Sequence, residues 1–274
     1  MRRLLLSAAF ASAVAAPLAA EEPRAAPGRP GWTAAEGSGC LVWNPEPQPE
    51  ERVTWAGPFP RGRAEGYGVL VWRWRIDGQE KTARYEGEMQ NGRPEGRGVF
   101  LAENGDRYEG EWFFGFFHGT GRWIGAEGDR YEGEWAKDEH HGFGTYRWAT
   151  GESYTGFWVR GLREGQGVER DRDGTAYKGG FLADVRHGHG ITVFADGGFH
   201  LGAWEEGRRH GYGEQLFADG SSYRGMYAAD LPHGEGVFTP SDGGEPFAGR
   251  WEEGCFRDTR GRVAAIGRPI EECR

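Results

Sequence analysis

Residues 108–130 read YEGEWFFGFFHGTGRWIGAEGDR, and the same pattern begins again at Tyr131. The pattern begins with an aromatic residue, followed at alternate positions by a glycine and a tryptophan. A G-x-G follows at Gly119 and Gly121. Equivalent rings open further segments at Trp55, Tyr85, Tyr154, Tyr177, His200, Tyr223 and Phe247. From Tyr85 to Tyr223 the spacing is constant at 23 residues. A fixed period of this length indicates a repeat architecture, with one supersecondary element in each unit.

Each unit predicts an antiparallel hairpin. Alternate residues of a strand point to the same side, so Tyr108, Gly110 and Trp112 are expected to share one face. We expect a second strand after each G-x-G, with short turns such as Asn104–Gly105 joining it to the next unit. The segment between Trp55 and Phe256 shows no helical periodicity. The sequence therefore predicts an all-β fold.

The aromatic-x-Gly-x-Trp opening followed by G-x-G resembles the MORN repeat, and the likeness covers most of the chain. The departures are local: Met89 stands for the tryptophan of one unit, His200 stands for a tyrosine, and Trp55 opens a weak copy. The resemblance implies an elongated single-layer antiparallel sheet of repeated β-hairpins. It also implies a binding or dimerising module, or a lipid contact, without specifying the ligand.

The predicted organisation has four parts: a signal peptide at 1–20, an N-terminal linker and cap at 21–54, the repeat array at 55–256, and a C-terminal cap at 257–274. Arg2 and Arg3 precede an apolar stretch and then small residues, which is the plan of a secretory signal peptide. The sequence leaves open whether cleavage follows Ala15 or Ala20. We expect a periplasmic or secreted protein. A net charge of -9 argues against a nucleic-acid ligand.

The chain has three cysteines. An exported protein can form disulfides, and Cys255 and Cys273 flank the segment that follows the last half unit. We predict that these two residues pair. Cys40 would then be free or take part in an intermolecular bond.

Candidate catalytic and metal-binding patterns are better explained by the repeat. The histidines before G-x-G, such as His118 and His141, lie one repeat apart, which is about 10 Å and too far for a shared ion. Paired carboxylates such as Glu109 and Glu111 recur along one face and are expected to be solvated. The G-x-G pairs lack the strand-glycine-helix setting of a dinucleotide site. We therefore expect no catalytic residue, cofactor or metal.

Aromatic residues are the candidate binding positions. The ring track, as we name it, comprises Tyr108, Trp112, Tyr131, Trp135, Tyr154, Trp158, Trp204 and Tyr223. It is expected to be only partly buried, and exposed apolar surface of this kind marks interaction sites. Trp72 and Trp74 lie on an extended hairpin that turns at Asp77–Gly78, where they either cover the end of the array or contact a partner.

The function expected from these features is a non-enzymatic binding scaffold. Protein–protein interaction in the periplasm or outside the cell is the leading hypothesis. Glycan or cell-wall binding through the ring track is the alternative, lipid or membrane-surface contact is a further one, and homodimer formation is left open.

Overall fold

The computed structural model describes residues 30–273. The chain divides into two compact units, which meet in sequence between His140 and His141. The predicted signal peptide at 1–20 lies outside the described residues. Within the described part, the structure contains no helix with the length and apolarity needed to cross a bilayer.

The first unit is built from antiparallel strands. A small two-stranded sheet pairs β1 (Gly31–Ala34) with β2 (Leu41–Asn44). A larger sheet runs in sequence order through β3 (Arg52–Ala56), β4 (Gly66–Ile76), β5 (Gln79–Gln90), β6 (Arg93–Leu101), β7 (Arg107–Phe113), β8 (Phe116–Ile124) and β9 (Arg130–Ala136). Every strand of this sheet pairs with the next along the chain, as consecutive hairpins require.

The second unit repeats the arrangement. Strand β10 (Glu139–Arg147) contains the boundary and pairs with the first full strand of the second unit. The strands that follow are β11 (Ser153–Val159), β12 (Leu162–Arg170), β13 (Ala176–Leu182), β14 (Val185–Val193), β15 (Phe199–Glu205), β16 (Arg208–Leu216), β17 (Ser222–Ala228), β18 (Leu231–Thr239), β19 (Phe247–Glu252), β20 (Cys255–Arg257) and β21 (Val263–Ala265). A 3-10 helix (Ile270–Cys273) follows β21. The predicted all-β fold of repeated antiparallel hairpins is confirmed in each unit.

Each hairpin contains a turn that the sequence analysis did not predict. In the repeat that opens at Tyr108, Phe114 and Gly115 have φ values of 54° and 86°, and β8 starts directly afterwards, three residues before Gly119. The expectation that the second strand starts after G-x-G was wrong, because the G-x-G lies inside that strand. Two consecutive positive φ values are the mark of a type I′ turn, whose twist matches that of antiparallel strands.

The glycines of the pattern make room for the opening ring. Gly110 lies opposite Gly121 in the paired strands, and the Tyr108 ring packs over both. A Cβ atom on Gly121 would lie 2.6 Å from Cε2 of Tyr108, which is too close for any side chain. The first glycine of the G-x-G serves a different purpose: Gly119 has a φ of 55°, and the strand register shifts beside it. A bulge therefore bends the hairpin there.

Adjacent repeats are joined through their rings. Tyr108 makes edge-to-face contacts with Trp112 of its own repeat and with Trp135 of the following one, both at 5.4 Å between ring centroids. In the second unit Tyr177 contacts Phe181 and Trp204 in the same way, at 5.3 Å in each case. Such pairs contribute about 0.5–1.5 kcal/mol beyond area burial. Each repeat is therefore stabilised by contacts with its neighbours as well as by its own.

The C-terminal end is closed by the predicted disulfide. Cys255 and Cys273 are bonded, with their Cα atoms 5.3 Å apart. The residues that the bond encloses include Ala264 and Ile266, which belong to a buried cluster with Trp251. Cys40 is buried and forms no disulfide within the described residues. The pairing prediction is confirmed, and the disulfide ties the 3-10 helix to β20.

Candidate functional site

The ring track is more deeply buried than predicted. Its tyrosines Tyr108, Tyr131, Tyr154 and Tyr223 are 0% exposed, and its tryptophans Trp112, Trp135, Trp158 and Trp204 are at most 7% exposed. The expectation of partly exposed rings was therefore wrong. The cause is that each ring packs against its own repeat and a neighbouring one. These rings therefore pack mainly against one another, and Trp112 also lines the cavity described below.

A further layer of side chains covers the opening rings, and the sequence analysis did not find it. Phe117 stacks on Tyr108 with centroids 3.7 Å apart, and the guanidinium carbon of Arg186 lies 4.8 Å from the Tyr177 ring centroid. His140 and Arg163 lie over the opening rings of Tyr131 and Tyr154, and Arg209 at the same repeat position lies over the Tyr227 ring. All of them stand nine positions after an opening residue. This constant spacing was the available signal, but the residue types at the position differ too much to draw attention.

His200 is the departure from the pattern with the clearest physical effect. It occupies the place of an opening tyrosine, is 0% exposed, and has no hydrogen-bond partner on either ring nitrogen among the described residues. Burial lowers the pKa of His200 to about 4, and Arg209 nearby acts in the same direction. The imidazole is therefore neutral at pH 7.

The extended hairpin predicted around Trp72 and Trp74 is present. Its strands β4 and β5 have 11 and 12 residues, whereas β7 and β8 have 7 and 9. Asp77 and Gly78 form the turn, with φ values of 50° and 76°. Trp74 is buried and Trp72 is half-buried.

The segment before β3 packs beside this hairpin. The Trp43 backbone N–H donates to the carbonyl of Gly92 at 2.7 Å, which attaches β2 to the turn between β5 and β6. The buried Asn44 accepts a hydrogen bond from the N–H of Glu46 and donates one to the Glu51 carboxylate. These contacts hold the loop between β2 and β3 in a fixed position.

A cavity of about 330 Å³ lies between the extended hairpin, this loop and the following repeats. Two of its apolar side chains are well exposed, Ile76 at 44% and Phe114 at 55%. Its aromatic lining consists of Trp43, Trp72, Trp74, Tyr85, Phe100, Trp112, Phe114, Phe116 and Phe117. Drug-sized ligands bind in cavities of about 300–1,000 Å³ with such apolar linings. This aromatic cavity is the candidate functional site.

The charged residues that line the aromatic cavity are all acidic: Glu46, Glu51 and Glu103. Lys81 lies 3.3 Å from Glu103 and offsets its charge. Burial raises the pKa of Glu51 to about 7, although the hydrogen bond from Asn44 acts in the opposite direction. None of the described lining residues is lysine, arginine or histidine. The lining therefore combines aromatic rings with three carboxylates, of which Glu103 pairs with Lys81 outside the lining.

The repeat geometry is matched by a known protein family. The model of the MORN repeat matches residues 61–74, 85–107, 108–130, 131–153, 154–176, 177–199, 200–222 and 223–245. The chain belongs to the MORN repeat family. The first match begins at Arg61 rather than at Trp55, and the half unit that opens at Phe247 lies beyond the last match.

Comparisons with individual proteins add less. No curated protein matches this MORN chain. Among solved structures it is similar to the SAS-4 (dCPAP) TCP domain of Drosophila melanogaster, solved in complex with a proline-rich motif of Ana2 (dSTIL). The two are 14% identical, the match covers 55% of this chain and 83% of that one, and the TM-score is 0.35. A likeness this weak carries no argument about the ligand.

The MORN repeat also accounts for the residues that could have suggested a metal site or a catalytic carboxylate pair. In residues 30–273, no three histidine, cysteine, aspartate or glutamate side chains come together in a metal-binding group. The carboxylates Glu86 and Glu109 instead form ion pairs with Arg84 and Arg107 of their own strands. MORN repeats are generally binding and scaffold modules, and the family match supports that broad role for this chain.

Proposed function

We propose that this MORN protein is a non-catalytic scaffold that binds a partner through the aromatic cavity of its first unit. One observation carries the proposal: the repeats bury their rings against one another, whereas the rings around Trp72 enclose a cavity. Phe114 and Ile76 lie at its edge and are well exposed. Aromatic side chains are enriched at the energetic centres of protein interfaces, which supports a contact role.

The partner we propose is a protein segment met in the periplasm or outside the cell. The signal-peptide plan at the start of the sequence supports export. The bond between Cys255 and Cys273 agrees with it, because disulfides persist in oxidising compartments.

A glycan is the second candidate ligand. Glu46 and Glu51 could accept hydrogen bonds from sugar hydroxyls, and aromatic rings stack on sugar faces. This candidate shares the aromatic cavity with the first, so the same variants test both.

The experiment compares Phe114→Ala with Phe157→Ala. Both phenylalanines are about half exposed, but only Phe114 lines the aromatic cavity. Purified protein is crosslinked to envelope proteins and, separately, incubated with cell-wall polysaccharide. We expect wild type and Phe157→Ala to crosslink the same partner and Phe114→Ala to lose it. Equal crosslinking by both variants would contradict the proposal, and retention on polysaccharide without crosslinking would favour the glycan.

A further inference from the structure

The aromatic rings of the cavity stand at steep angles to one another. Phe100 lies between Trp72 and Trp112, with centroid distances of 6.2 and 6.1 Å and interplanar angles of 78° and 75°. A sugar needs a flat platform, whereas steeply inclined rings form walls around a compact group. The geometry favours a ligand group that is enclosed rather than stacked on one face.

The electrostatics of the aromatic cavity favour a positive charge. Aromatic faces carry a negative potential that attracts cations within about 6 Å. Glu46 and Glu51 add negative charge. Lys81 pairs with Glu103 and Arg93 packs on Trp43, but neither basic residue is part of the lining. A guanidinium can pair with a carboxylate through two parallel hydrogen bonds, and it is more weakly hydrated than an ammonium group.

The chain already uses its rings in this way. The guanidinium carbon of Arg93 lies 4.2 Å from the centroid of Trp43, which lines the aromatic cavity. The guanidinium carbon of Arg63 lies 4.3 Å from the ring centroid of Trp32. In the second unit Arg186 and Arg209 lie over opening or neighbouring rings. Packing of guanidinium groups on aromatic rings is thus a recurrent contact of this fold.

We infer that the aromatic cavity binds an arginine side chain of the partner protein. The inference rests on the proposed function and adds the chemistry of recognition. The rings around Trp72 and Phe100 enclose the guanidinium and the apolar part of the side chain, and the Glu51 carboxylate pairs with its N–H groups.

Two short peptides test the inference. Acetyl-Gly-Arg-Gly-amide carries the guanidinium, and acetyl-Gly-citrulline-Gly-amide replaces it by a neutral group of the same shape. Binding is titrated by ligand-observed NMR on the full protein at pH 8. We expect the arginine peptide to bind at least tenfold more tightly than the citrulline peptide. A lysine peptide is expected to bind more weakly than the arginine peptide.

Matched variants assign the binding to the cavity. Trp72→Leu and Glu51→Gln are each expected to weaken the arginine peptide at least fivefold, whereas Glu132→Gln on the exposed side of β9 leaves it unchanged. Thermal melting checks that each variant is folded. If Trp72→Leu does not fold, Glu51→Gln, which preserves the shape of the loop, remains as the test. Equal affinity for the arginine and citrulline peptides, or no binding of either, overturns the inference.

The two proposals can fail separately. If neither peptide binds but Phe114→Ala still abolishes crosslinking to the partner, the scaffold function stands and the arginine assignment is wrong. If crosslinking is also independent of Phe114, both are wrong.

Discussion

The hydroxyl of Tyr108 donates a hydrogen bond to the backbone carbonyl of Glu111, 2.8 Å away. The side chain reaches this carbonyl by crossing Gly110, and Gly121 on the paired strand leaves room for the ring. Equivalent bonds join Tyr85, Tyr131, Tyr154, Tyr177 and Tyr223 to the residue three positions later. Tyrosine and both glycines therefore form one packing unit.

Replacing Gly121 by alanine should destabilise the first unit by about 2 kcal/mol, in the range of overpacked sites. The added Cβ meets the ring of Tyr108. In a Tyr108→Leu background the same substitution should cost less than half as much, because the crowding ring is gone. Denaturant unfolding of the four proteins gives the coupling energy. Strictly additive effects would show that the ring does not explain the glycine.

The pairing of the rings with the glycines could be predicted from the sequence only in part. The period and the alternation placed Tyr108, Gly110 and Trp112 on one face, and this is correct. The period and the alternation could not show which side chains cover that face. Phe117 comes from the paired strand, and Trp135 comes from the next repeat. Burial depends on those tertiary contacts rather than on strand alternation.

The second turn of each repeat was missed for a local reason. Phe114 and Lys137 occupy positions with positive φ, where residues of their types are uncommon. The dipeptides Asn91–Gly92 and Arg160–Gly161 do carry a turn signal at the same place, but it is not uniform across the array. The sequence indicates the aromatic cavity even less, since the cavity forms only when the loop before β3 packs against residues far along the chain.

His200→Tyr should stabilise the second unit and reduce its sensitivity to acid. Gly202 and Gly213 still provide the space that a tyrosine requires. The pKa of His200 is about 4 when folded against the usual 6.5. The unfolded chain therefore binds the proton more readily, and stability falls as the pH drops below 6.5. At 1.36 kcal/mol for each pKa unit, the loss between pH 7 and pH 5 is about 2 kcal/mol.

Melting curves at pH 7 and pH 5 check this prediction. The variant should lose less stability than wild type on acidification, although His140, whose pKa burial also lowers to about 4, keeps some acid sensitivity in both. Arg209 and Asp230 also act on His200 and are unchanged in the variant. If the variant and the wild type lose the same stability between pH 7 and pH 5, His200 does not titrate as described.

Glu51→Gln should stabilise the protein at pH 8 and leave it unchanged at pH 4. The pKa of Glu51 is raised from 4.5 to about 7 by burial. The folded protein therefore holds the Glu51 proton more tightly than the unfolded chain does. The contribution of this protonation to the stability of the fold is complete below pH 4.5 and is lost as the pH rises through about 7. The hydrogen bonds that Glu51 accepts from the Asn44 side chain and the Gln48 backbone act in the opposite direction on this pKa, and burial outweighs them.

The measurement is the melting temperature at the two pH values, with Glu132→Gln as the control for a general change of charge. The control should show the same small difference from wild type at both pH values. A Glu51→Gln variant that is less stable than wild type at pH 8 would show that the carboxylate stabilises the loop instead.

Reducing the bond between Cys255 and Cys273 should lower stability by about 3 kcal/mol, as expected for a loop of this length. The bond closes a sequence separation of 18 residues. The reductant should lower the melting temperature of wild type and of Cys40→Ser, but not that of a Cys255→Ser, Cys273→Ser double variant. Peptide mapping without reduction should recover the bonded pair. A peptide that joins Cys40 to either residue would overturn the assignment.

Contacts between each ring and a neighbouring repeat also bear on how such a chain changes length over evolution. Tyr177 meets Trp204 through the same positions by which Tyr108 meets Trp135. Duplication or loss of a complete block such as 177–199 therefore supplies equivalent contacts at the new junction. A single residue inserted within a strand would instead turn the rings beyond it to the other face. The ring contacts are thus compatible with the gain or loss of whole repeats. The aromatic cavity depends on residues outside the period, such as Trp43 and Trp72, and would remain a single copy however long the array became.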